Sequence, residues 1–207
     1  MNLIFVDLQP EVVSAWREHF AGYTEVSVHS GSIFDVECDA LVSPANSFGF
    51  MDGGLDLSIS RYFGWHVQER LQELIQDKHN GELLVGTAEI VPTDHPLIPF
   101  VISAPTMRVP MILDETVNVY LATRAVILLA RHGRFPDGRA ISETVHTIAV
   151  PGMGTGVGRV PPAICARQMK AAVDDALLKT TRFPISWYEA QTRHQMLYGE
   201  VSRDLQF

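Results

Sequence analysis

Cysteine is nearly missing from this chain. Cys38 and Cys165 are the only two, far apart and without the paired spacing of a zinc site or a disulfide framework. Reduced, packed thiols are expected, with no metal and no cofactor. Positive charge is also scarce, with 16 Lys and Arg against 24 Asp and Glu and a net charge of −8. That balance argues against duplex-DNA and membrane-surface partners, which are held by basic patches. No apolar run approaches the roughly 20 residues of a membrane span. The opening Met1–Asp7 lacks the charged region of a signal peptide, so a soluble cytoplasmic protein is expected. Repeats, low-complexity tracts and linkers are absent too, which makes one domain the simplest count. Nothing in the sequence speaks to oligomeric state.

What is present is enough apolar material, 46% of residues, to fill a core. Short apolar runs predict strands at 3–7, 25–29, 40–43, 87–91, 100–104 and 147–150. Helical spacing lies between them. Pro10-Glu11 opens a helix to about Phe20, and Gly64 divides a second helical pattern into two. A long helix runs from about Glu115 to Arg131, and Pro161-Pro162 starts another. This alternation predicts a three-layer α/β/α sandwich around a mixed, mostly parallel sheet. Residues 1–180 form the α/β domain, and 181–207 read as a C-terminal tail packed on it, with Trp187 and Tyr188 as anchors.

Two glycine-rich loops punctuate this pattern, Asn46–Asp56 and Pro151–Arg159. Each follows a strand and runs into a helical pattern. Such a hand-over leaves backbone N–H groups free beside the positive end of a helix dipole, where phosphate binds without a basic side chain. Neither loop is followed by Gly-Lys-Ser/Thr, and the glycines after Pro151 alternate instead of taking the G-x-G-x-x-G spacing. The two together suit both ends of a diphosphate.

In combination these segments resemble the macrodomains, which bind ADP-ribose and its derivatives. Gly31-Ser32-Ile33 stands where that family has a Gly-Asp-Ile turn. Asp39–Asn46 is close to its valine-asparagine-alanine-alanine-asparagine run. Gly53-Gly54-Leu55-Asp56 matches its glycines before an apolar residue and aspartate, and the Asn46-to-Asp56 spacing is that of the hydrolase branch. The second loop stands at the diphosphate loop. The resemblance spans roughly residues 1–180. It implies ligand contacts from Ser32, Ile33, Asn46, Gly53, Gly54, Leu55, Gly152, Met153, Gly154, Thr155, Gly156, Val157, Gly158 and Arg159, with Asn46 and Asp56 as catalytic residues. Ser32 replaces the aspartate that accepts the adenine amino group, and Ser43 replaces the first asparagine of the family's pair. An aromatic cover after the second loop is missing, a place that Phe48 or Phe50 could fill.

Each of these residues also has a plainer reading. Glycines make turns, Asn46 can stabilise one, and Asp56 suits the first turn of any helix. Asp52 reads as a solvated loop residue or a second carboxylate, and Arg159 as a phosphate partner or a surface charge. His66 and His146 have no partner at metal-ligand spacing. The functional expectation is a domain that binds ADP-ribose and hydrolyses an ADP-ribosyl ester or ADP-ribose 1″-phosphate. A non-catalytic ADP-ribose reader and an interaction domain with a degenerate pocket remain as alternatives.

Overall fold

In the computed structural model, which describes residues 1–206, six strands form one sheet in the order β2-β1-β6-β3-β5-β4. They are β1 (Asn2–Asp7), β2 (Val26–Ser30), β3 (Ala40–Ser43), β4 (Glu89–Pro92), β5 (Phe100–Ser103) and β6 (Thr147–Val150). Every pairing is parallel except β4 with β5. Parallel strands need covering on both faces, and every residue of β3 is buried. Side chains alternate between two cores. Phe5, Val42, Ile102 and Ile148 face α1 (Pro10–His19), α4 (Asn118–His132) and α5 (Pro162–Ala172). Val6, Leu41, Val101 and Ala149 face α2 (Gly54–Phe63) and α3 (His66–His79). The result is the three-layer α/β/α sandwich that the alternation of elements predicts.

Local chemistry sets the element ends. Gly64 terminates α2 at φ 107°, a left-handed backbone that favours glycine. Two sequence readings shift. The strand read from Thr87 begins at Glu89, because the Thr87 N–H and hydroxyl both turn back to the Leu84 carbonyl. The helix read from Glu115 begins at Asn118, because Leu113 is drawn down onto the second glycine loop, where its N–H donates to the Gly158 carbonyl at 2.9 Å.

Beyond α5 the chain continues as a π-helical turn, Val173–Leu178. Tyr23 and Tyr120 donate to Asp174 and Asp175, and Arg131 donates to the Ala176 and Leu177 carbonyls. The stretch read as a tail contains α6 (Trp187–Gln195), started by a reciprocal cap in which Ser186 accepts the Glu189 N–H and Glu189 accepts the Ile185 N–H. Arg167 of α5 holds the far end of this segment through the Met196 and Gly199 carbonyls and Glu200. Trp187 and Tyr188 are themselves exposed.

Cys38 and Cys165 are buried free thiols. Burial pushes their thiols up to about 11 and about 12, so both stay protonated and unreactive at neutral pH.

Candidate functional site

The carboxyl ends of β1, β3 and β6 open into a cavity of 660 Å³, the position where open parallel sheets take ligands. Both glycine loops line it. So do the turn after β2, through Gly31–Phe34, and the segment after β5, through Thr106, Met107 and Pro110.

The second loop is shaped from below and left open above. Asp7, at the end of β1, accepts the Gln9 N–H at 2.9 Å and the Gly152 N–H at 3.0 Å, tying the two strand ends together. Gly154 takes φ 71°, and a side chain on Gly158 would lie 2.6 Å from the Gly154 carbonyl oxygen. These glycines are demanded by the loop's own packing. In contrast, the backbone N–H groups of Gly154 through Gly158 have no acceptor among the described residues, although all five residues line the cavity. A polar backbone group is seldom left without a partner unless water or a ligand supplies one.

The first loop ends at α2, whose N-cap Gly53 brings no side chain to the opening donors of the helix. Gly53 is extended at φ −141°, and a Cβ added there meets nothing within 4 Å. Gly156 likewise has open space where a side chain would stand. Neither position needs glycine for folding, and both border the cavity.

Asp56 lies in the first turn of α2 and faces the cavity half-buried. Desolvation raises its carboxyl from 3.8 to about 6, the Ser43 hydrogen bond pulls it down, and the nearby charge of Asp52 adds to the rise. The Ser43 hydroxyl, fully buried at the end of β3, donates to Asp56 Oδ1 at 2.5 Å. The serine that departs from the family's asparagine thus orients the carboxylate.

Asn46 lines the cavity, but most of its amide is engaged within the loop. Its Oδ1 accepts the Phe48 and Phe50 N–H groups and its Nδ2 donates to the Phe50 carbonyl at 2.8 Å. One N–H remains for a ligand. Ser32 accepts the Phe34 N–H at 3.2 Å and caps a short helical turn, so its proton is the freer part of the hydroxyl. Ile33, Leu55, Thr155 and Val157 line the cavity together with the glycines named from the sequence.

Two candidates fall elsewhere. Met153 is fully buried in the main core, and Arg159 is exposed outside the lining. Phe50 lines the cavity, whereas Phe48 does not and lies under the Arg108 guanidinium at 5.2 Å. His66 bonds the Thr93 carbonyl, away from the site. Asp7, Phe34 and Thr106 join the site from outside the sequence motifs. An acidic residue closing a strand was the one sequence signal for Asp7.

Comparison with known proteins places this chain in a class. The Macro domain family model matches residues 42–169. An uncharacterized protein of Aquifex aeolicus is 35% identical over 145 residues, covering 70% of this chain and 78% of that protein. Among solved structures, a mutant of the Oceanobacillus iheyensis macrodomain with ADPR has a TM-score of 0.59 at 19% identity, covering 81% of this chain and 86% of that one. The macrodomain of Mycobacterium tuberculosis DarG has a TM-score of 0.57 at 19% identity, covering 71% and 88%. These two structures share the fold. The chain belongs to the macrodomain family, a family known to bind ADP-ribose.

Proposed function

We propose that this protein binds ADP-ribose in the cavity and hydrolyses its attachment to another group, as an ADP-ribosyl ester or ADP-ribose 1″-phosphate. The observation that carries the reading is the run of N–H groups from Gly154 to Gly158 that have no acceptor among the described residues. A diphosphate would satisfy them without any cationic side chain. Gly53 and Gly156, glycines without a folding reason, give a ligand room to approach the backbone. Following the family resemblance, the base lies beside Ser32, Ile33 and Phe34, and the distal ribose lies between Asn46 and Asp56.

Asp56 supplies the chemistry in this reading. With its carboxyl raised to about 6, it is about nine-tenths ionised at pH 7 yet a better base than an ordinary aspartate. Water forms a new bond to the anomeric carbon of the distal ribose. The bond from that carbon to the acyl oxygen breaks, the acyl group leaves as a carboxylate, and the water proton passes to Asp56. Ser43 keeps the carboxylate aimed, and Asn46 holds the loop and offers its remaining N–H to the ribose.

The test is incubation with protein mono-ADP-ribosylated on glutamate or aspartate. Release of ADP-ribose is expected, and its loss in Asp56→Ala with calorimetric binding of ADP-ribose intact supports the assignment. Binding without release by the unaltered protein makes it a reader, and no binding of ADP-ribose refutes both.

A further inference from the structure

The cavity has a one-sided charge. Among the described residues, none that lines it is Lys, Arg or His, while Asp7, Asp52 and Asp56 are all there. Asp7 is spent on the Gln9 and Gly152 N–H groups. Asp56 is held by Ser43. Asp52 is exposed in the first loop and makes no hydrogen bond or ion pair among the described residues, and its charge reaches Asp56.

Nearby cations do not compensate. Arg108 sits between the lining residues Met107 and Pro110, yet its guanidinium grips Glu82 at 2.6 and 3.2 Å and covers the Phe48 ring. Arg159 lies outside the lining. The α2 N-terminus contributes roughly half a positive charge, which the Asp56 and Asp52 carboxylates outweigh.

We propose that Asp52 makes this site select by charge, accepting neutral or cationic groups on the distal ribose and rejecting a phosphate there. The inference rests on the ADP-ribose reading above and narrows it. A diphosphate is tolerated because it meets the free N–H groups of Gly154–Gly158. A further phosphate attached at the distal ribose, between Asn46 and Asp56, meets carboxylates without a compensating cation. An ester differs, because its acyl group is uncharged until the bond breaks. Once the bond has broken it carries a single negative charge, and repulsion from Asp52 speeds its departure from the site. Phe50 and Val157, two apolar lining residues, reach solvent near the same loops, so an uncharged acyl group also has surface to rest against.

Binding measures the selection without any need for turnover. ADP-ribose derivatives carrying at the anomeric position a methyl group, an aminoethyl group or a non-hydrolysable methylenephosphonate are titrated calorimetrically against the unaltered protein and Asp52→Asn. The methyl and aminoethyl derivatives are expected to bind within about threefold of each other, and the phosphonate at least about tenfold more weakly. In Asp52→Asn that gap is expected to fall to about threefold or less, and in the unaltered protein it narrows as salt is raised. Circular dichroism of Asp52→Asn confirms that the comparison is between folded proteins. Equal binding of the phosphonate and methyl derivatives overturns the charge selection while leaving the ADP-ribose reading intact. A gap unchanged in Asp52→Asn overturns the assignment to this residue. Failure of ADP-ribose itself to bind overturns both readings.

Discussion

Replacing Asp56 by asparagine is expected to make the folded protein more stable and catalytically inert. In the native chain the carboxyl is raised from 3.8 to about 6, so ionising it costs the folded state about 3 kcal/mol, at roughly 1.4 kcal/mol per pH unit of displacement. The sign follows from proton occupancy. Between about pH 4 and pH 6 the folded state keeps a proton that the unfolded chain has lost, so stability falls as pH rises through this window. Above about 6 the whole cost is present. Asparagine has nearly the same shape, still accepts the Ser43 hydroxyl, and never ionises. Its advantage is expected to be about 1–3 kcal/mol at pH 8 and close to zero near pH 4, because the substitution also gives up the carboxylate's interaction with the α2 dipole. Urea denaturation at the two pH values reads this difference directly. Hydrolysis of an ADP-ribosyl ester is expected to fall about a hundredfold or more, with ADP-ribose binding retained. A variant less stable than the native protein at pH 8, or one with the same difference at both pH values, refutes the account of Asp56.

Ser43→Ala removes the hydrogen bond that holds the Asp56 carboxyl down, so the acid limb of the kcat/KM profile is expected to move above about 6. A profile left in place would show that Ser43 does not tune the base. Gly53→Ala and Gly156→Ala add a methyl group where the protein has nothing within 4 Å. Thermal melts should therefore shift little, while ADP-ribose affinity drops about tenfold or more by calorimetry. Gly158→Ala is expected to lower the melting temperature by several degrees, since the added carbon lies 2.6 Å from the Gly154 carbonyl oxygen. Asp7→Ala leaves the Gln9 and Gly152 N–H groups without their acceptor. A loss of about 1–3 kcal/mol in stability is expected, together with weaker ADP-ribose binding from a loosened second loop.

Much of the architecture lies in local sequence. The apolar runs at 40–43 and 147–150 coincide with β3 and β6, because a strand buried on both faces is apolar throughout. Glycine marks the same loops in both, since a left-handed residue such as Gly154 or Gly64 admits few alternatives. The candidate residues of the first loop were legible because they sit close together in the chain, from Asn46 to Asp56. Met153 lies between loop glycines and Arg159 directly after the last of them, and only the turn of the backbone sends one into the core and the other out to solvent. The π-helical turn after α5 was invisible, because its partners Tyr23, Tyr120 and Arg131 come from distant elements.

The sequence by itself determined an α/β chain with two phosphate-sized glycine loops and an acid at the mouth of a helix. Tertiary structure alone decided which glycines serve the fold and which face open space, and which carboxylates are occupied. Asp7 meets Gly152 across 145 positions of chain, and Ser43 meets Asp56 across 13. Neither pairing has a local signature, since the first depends on which strands the sheet sets side by side and the second on how α2 is laid against the end of β3. Among the described residues, the same closure leaves Asp52 without a partner and Gly154–Gly158 with N–H groups directed to no acceptor. Whether a group is satisfied or left for a ligand is fixed by what packs around it, and that is known only once the chain has folded.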